Sequence, residues 1–268
     1  AFFMFTYFTD RDGKYQLASL AESAFDPLAR TCRFMLTEEA HHMFVGESGI
    51  KRVIERTAET MRKCDTDSVR DRGVIDLETI QKYINFHYSV SLDLFGGEKS
   101  SNAAAYFESG LKGRFNEAKI ADDHTLKDSV NNTPEWIDGK PGEVEVPSIN
   151  ALNERLRQDF TRDCNRGLAR WNKVLLDYGI TTELYLPHYA FNRSIGAFAD
   201  YWTTPEGLPL SKDSWVAQMG KWIPTREDRL FVGSLMQPNL TPGEIAPWIA
   251  PPQRGINGRP TDYDYVRV

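Results

Sequence analysis

With 268 residues, the chain has room for one or two domains and a sizeable core. Apolar residues make up 41% and charged residues 26%, ordinary proportions for a globular protein. A net charge of −6 with no basic run argues against nucleic acid as a partner; three widely spaced cysteines, Cys32, Cys64 and Cys164, indicate reduced thiols rather than a disulfide framework or a zinc site.

The chain opens on an almost wholly apolar segment, Phe2 to Thr9, closed by Asp10. It is far too short to span a bilayer and lacks the basic start of a signal peptide, which with the thiols points to the cytoplasm. Asp10 shares a helical face with Phe3, Thr6 and Tyr7, so it needs a partner: a salt bridge to Arg11 or Lys14, exposure where the helix ends at Gly13, or a metal. Asp26-Pro27 opens the next helix, Asp to cap the free amides and Pro to give up an N–H that had no partner. This helix is expected to end near Gly46 to Gly49.

Inside it lies Glu38-Glu39-Ala40-His41-His42. Glu-x-x-His puts an oxygen ligand and a nitrogen ligand on one face, the arrangement that di-iron and di-manganese carboxylate proteins use in four-helix bundles. Two copies overlap. Glu39 and His42 fall on the apolar stripe of Leu28, Cys32, Met35, Leu36, Met43 and Gly46, whereas Glu38 and His41 lie on a more polar flank. An ionised Glu facing a core is costly unless paired or metal-bound, which favours Glu39/His42. On the motif alone, a solvated Glu/His face explains the pattern equally well.

Downstream, Ile50 to Met61 reads as a separate helix, Lys63 to Arg72 as a loop, and Asp76 as the cap of a helix stopped by Gly96-Gly97. A short helix covers Asn102 to Ser109. From Lys112 to Ser148 periodicity is lost, with Asn131-Asn132, Pro134 and Lys140-Pro141-Gly142 as turn signals. Ser148 is expected to cap a long helix to Tyr178, followed by Gly179. Thr181 to Leu186 reads as a strand, Ser211 to Trp222 and Thr225 to Met236 as short helices, the second with a Thr-x-x-Asp box at Thr225 and Asp228. From Gln237 onward proline and glycine dominate. His87 reads as a hydrogen-bonded core histidine and His124 as exposed or locally paired. The tryptophans, Trp248 included, read as packing. Neither Gly-x-Gly-x-x-Gly nor a Walker motif occurs, so reducing equivalents are expected from another protein.

Phe2 to Pro27, Leu36-Thr37-Glu38-Glu39-Ala40-His41-His42, Val74 to Leu77, Asn85 to Val90, Gly110 to Phe115, Trp248 to Pro252 and the closing Tyr265-Val266-Arg267 together resemble the oxygenase (epoxidase) component of benzoyl-CoA 2,3-epoxidases, which are di-iron enzymes of aerobic benzoate degradation. The resemblance covers the whole chain but only the second half of the family's length. It implies a mainly α fold: residues 1–111 as the C-terminal half of a ferritin-like di-iron bundle, and 112–268 as an irregular, Pro/Gly-rich extension packed on it. Carried over by motif, Asp10, Glu39 and His42 match the second half of the family's iron ligands. The other half, a Glu and a second Glu-x-x-His, is absent after His42: His87, His124 and His188 follow Ile84, Ala121 and Tyr185 at the required offset. The expectation is therefore a fragment with three of six ligands.

The resemblance implies a monooxygenase that converts benzoyl-CoA and O2 to 2,3-epoxybenzoyl-CoA, with electrons from a separate NADPH-dependent flavin and iron–sulfur reductase. Alternatives are an oxygenase of the phenylacetyl-CoA type, a ferroxidase, or a metal-free helical interaction module. For the CoA phosphates the densest basic cluster is Lys112, Arg114 and Lys119, in the glycine-punctuated Gly110 to Arg114 stretch. A solvated loop balanced by Glu108, Glu117, Asp122 and Asp123 is the plainer reading of those charges.

Overall fold

The computed structural model describes residues 1–121, 126 and 129–236. Two compact units divide the chain, Ala1–Arg226 and Glu227–Val268, with α7 (Arg226–Ser234) at the boundary. The fold is mainly α. Its centre is α1 (Phe2–Leu20), against which pack α2 (Asp26–Cys64), α3 (Leu77–Asp93) and α5 (Leu152–Asp177), while the short α4 (Ser101–Glu108) lies between the last two in sequence. Among the described residues no helix is long and apolar enough to cross a membrane.

The apolar N-terminal segment becomes the heart of this core. Tyr7 and Phe8 are fully buried; Tyr7 packs on Trp171 of α5 at 4.5 Å between ring centroids, and Phe8 meets Tyr88 of α3 edge-on at 6.1 Å. Tyr88 in turn stacks on Phe160 and its hydroxyl lies 2.9 Å from Thr161 Oγ1. Helix α5, beyond position 112 in sequence, is thus packed on α1 by its aromatic face.

Two expected helix ends do not occur. Helix α1 runs through Gly13, and α2 runs unbroken through Gly46 and Gly49 for 39 residues, absorbing the separate helix expected from Ile50. The reason is contact. A Cβ at Gly46 would stand 2.5 Å from the backbone nitrogen of Tyr7, and one at Gly49 2.4 Å from the Phe3 ring. Each glycine costs helix propensity but lets α2 approach α1 more closely than any side chain allows. The pair is antiparallel: Arg33 donates to the Ala21 carbonyl at one end while Gly49 meets Phe3 at the other.

Cap positions shift by small amounts. Phe25, not Asp26, is the residue preceding α2; Asp26 lies in the first turn and pairs with Arg30. Asp76 caps α3 as expected, accepting from the Thr79 amide at 2.8 Å. That helix ends at Asp93, before Gly96, whose φ of +83° suits only glycine. Ser148 opens a 3-10 turn, and α5 starts at Leu152 without a side-chain cap.

The aperiodic stretch contains a hairpin. Strands β1 (Val130–Ile137) and β2 (Lys140–Pro147) pair antiparallel through a two-residue turn, Asp138-Gly139, with φ of +49° and +79°. Asp-Gly between two extended runs is the hairpin sequence itself, masked by the prolines at 134 and 141. A smaller pair joins β3 (Trp202–Thr203) to β4 (Pro209–Leu210) ahead of α6 (Lys212–Gln218). Residues 181–186 are not a strand. Their backbone is held by side-chain amides: Asn172 bonds both N–H and C=O of Leu184, and Gln81 both of Tyr185, so no partner strand is required. His124 and the segment from Gln237, with Trp248, lie outside the described residues.

Candidate metal centre

Side chains from the antiparallel α1–α2 pair meet in one place. His42 Nδ1 lies 3.6 Å from Asp10 Oδ2 and 3.8 Å from Glu39 Oε2, and one ligand atom from each of the three falls within 4.8 Å of the others. Helical periodicity supplies the Glu39/His42 pair, and the close approach at Gly46 brings Asp10 opposite them. Glu38 and His41 are exposed, outside this group. The stripe that pointed to Glu39/His42 is itself only partly buried: Cys32 is inside, whereas Met35 is exposed.

The electrostatics are those of two acids forced together. Side-chain exposure is 14% for Asp10 and 16% for Glu39 but 47% for His42, so the group is closed beneath and open on the histidine side. Burial raises both carboxyls above the ordinary carboxylate range, and for Glu39 the neighbouring Asp10 raises it further. Glu39 Oε2 is buried without a hydrogen-bond partner, since the 3.8 Å contact to His42 is too long to count as one. A buried, unpartnered carboxylate oxygen beside a second acid and an imidazole fits a cation of the oxygen- and nitrogen-loving class, iron among them.

Two neighbours escape a motif search. Gly13 lies against the carboxylate: a Cβ there would sit 3.4 Å from Glu39 Oε1. Asp12 is buried, and both its oxygens accept from Gln16 Nε2 at 2.8 Å. Burial pushes its carboxyl up to about 7, with Glu39 adding to the rise. The signal that could have found it is the Asp/Gln pair four residues apart on one helix face.

The expected CoA contacts do not gather. Lys112 reaches Asn153 Oδ1 at 3.0 Å, and Arg114 is buried and turned onto Glu117, with Nε 3.0 Å from Oε2. Lys119 is exposed. Of the three, only Arg114 lines a cleft of about 570 Å3, bordered by Gly113, Phe115 and Val130 among others and by α5. His87 is half-buried, its ring parallel to that of Tyr83 at 6.2 Å, away from the centre.

Over 270 aligned residues, covering all of this chain, the sequence is 56% identical to benzoyl-CoA oxygenase component B of Aromatoleum evansii. The chain belongs to the family of that oxygenase component. It spans 57% of the relative's length. No family model matches it.

Proposed function

We propose that this chain is part of an oxygenase component that acts on benzoyl-CoA with O2, giving the 2,3-epoxide, in which Asp10, Glu39 and His42 hold iron as half of a di-iron centre in a ferritin-like bundle. The observation that carries the reading is the convergence of the three donors around the unpartnered Glu39 Oε2. The relative's name supports the substrate, and the word "component" in it supports a separate reductase that supplies electrons.

Bound there, iron supplies the redox chemistry that allows O2 to react with an aromatic ring, which no side chain provides. The chain's own residues set up the place for it. Asp10 and Glu39 contribute charge, and Glu39 does so with one oxygen shielded from solvent, where its interaction with a cation is stronger than in water. His42 contributes a ring nitrogen at the open edge. Burial raises both carboxyls, so cation binding competes with protons for them. Tyr7 and Phe8, packed on Trp171 and Tyr88, fix the helix that presents Asp10.

The test is metal content and anaerobic Fe(II) titration of the intact protein, comparing Glu39→Gln with Glu38→Gln. Glu39→Gln is expected to lose iron at the centre and Glu38→Gln to retain it. Equal iron content in the two variants, or loss in Glu38→Gln alone, rejects the assignment.

A further inference from the structure

The cleft of about 570 Å3 has a wall that none of the foregoing uses. Arg155, Arg162 and Arg166 line it from α5. Their spacings of seven and four residues place all three on one stripe of the helix, with Asp159 between them. Among the described residues lining the cleft, Asp159 is the only acid, bonded to Arg162 at 2.6 Å and 3.8 Å from Arg155. Arg166 has no acidic partner among the described residues. Among the described residues, three guanidinium groups against one carboxylate make this face of α5 net positive, in a protein whose total charge is −6. The lining away from α5 is apolar and aromatic: Phe115 packs on Tyr15 at 4.6 Å between ring centroids, and Val130 also lines the cleft. The volume is that of a small-molecule pocket.

We propose that this cleft binds the phosphate-bearing end of a nucleotide-type ligand, with the α5 arginines on the phosphates and the Phe115 wall against the base. Resting on the function proposed above, the ligand is the CoA portion of the acyl-CoA. Each guanidinium offers five N–H donors in a planar fork, so Arg162 keeps donors free after its bond to Asp159. Arg114, expected from sequence to grip phosphate, is held by Glu117, and the gripping role passes to α5.

The experiment is calorimetric binding of CoA and of ATP to the intact protein and to the double variant Arg162→Ala/Arg166→Ala. Both side chains are exposed, and thermal unfolding verifies that the variant is folded. Loss of two charge-assisted contacts is expected to weaken CoA at least about tenfold. The KM for benzoyl-CoA rises with it, while turnover of a phosphate-free benzoyl thioester of N-acetylcysteamine is unchanged. Arg166→Lys, which keeps the charge, is expected to restore part of the affinity relative to Arg166→Ala. Unchanged CoA affinity in the double variant overturns the cleft assignment and leaves the substrate reading standing. Binding of ATP but not CoA, abolished in the variant, supports the phosphate site and overturns benzoyl-CoA as substrate. Failure of both ligands to bind the unaltered protein overturns the proposal.

Discussion

Asp10 and Glu39 are acids that burial keeps from ionising easily, and this sets the sign of two pH effects. A cation displaces their protons, so affinity for a divalent metal should climb as pH rises through the raised carboxylate range, beyond the pH at which a free carboxylate is already ionised. Competition titrations across that range measure it; a flat profile contradicts the assignment. Without metal the sign reverses: folded-state values above the unfolded ones mean that the two acids weaken the fold as pH rises. His87 works the other way. Burial lowers its pKa to about 4 from 6.5. Its neutral form belongs to the folded state, so the stability it allows is present above pH 6.5 and is lost as pH falls toward 4. Urea unfolding across this window should show the native protein losing up to about 3 kcal/mol more than His87→Leu. Parallel curves for the two proteins dismiss the effect.

At the scale of elements, the α1–α2 pair is set by its glycines. Gly46→Ala gains helix propensity but places a methyl 2.5 Å from the Tyr7 nitrogen, on backbone that cannot swing aside. Overpacking outweighs propensity, and a net loss of about 1–2 kcal/mol in chemical denaturation is expected. Because α1 must move away from α2, the distance from Asp10 to Glu39 and His42 grows and metal affinity falls, though no ligand is altered. Retained affinity in a destabilised variant means the centre does not depend on this approach. The Asp138-Gly139 turn tests a different quantity. Gly139 has open space around it but a φ of +79°, so Gly139→Ala meets no clash and pays only for backbone strain, about 1–2 kcal/mol confined to the hairpin.

Across the larger compact unit, a buried ionic network joins segments far apart in sequence. Arg193 Nε lies 2.5 Å from Asp93 Oδ1 and its NH2 group 3.0 Å from Glu98 Oε1, while Ala197 donates its amide to Glu98 Oε2 at 2.7 Å. Arg157 adds a further contact to Glu98 at 3.6 Å and bonds the Leu92 carbonyl. The end of α3, the first turns of α5 and the 193–198 loop are pinned together by these charges. Arg193→Met leaves Glu98 and Asp93 without their main counter-charge, and a loss of about 3–5 kcal/mol is expected in equilibrium unfolding. A loss below 1 kcal/mol would show that Arg157 alone neutralises the group.

What the sequence determined by itself was local. Glu39/His42 is a matter of helical period, the Asp76 cap is a matter of one side chain and the next amides, and the long amphipathic α5 is a matter of repeated apolar positions from Leu152 to Tyr178. Asp10 was marked by the oddity of an acid on an apolar face. Tertiary structure decided everything that depended on what an element touches. Gly13, Gly46 and Gly49 look like helix ends until another helix lies against them. Residues 181–186 look like a strand, yet the amides of Asn172 and Gln81 take the bonds a strand would have made. Arg114 looks free until Glu117 folds onto it, and the cleft beside Arg155, Arg162 and Arg166 exists only because Tyr15 and Phe115 pack near α5. Periodicity and capping act over one or two turns and are written in neighbouring residues. Close approach, pairing and desolvation join residues tens to more than a hundred positions apart, and they exist only once the chain has packed.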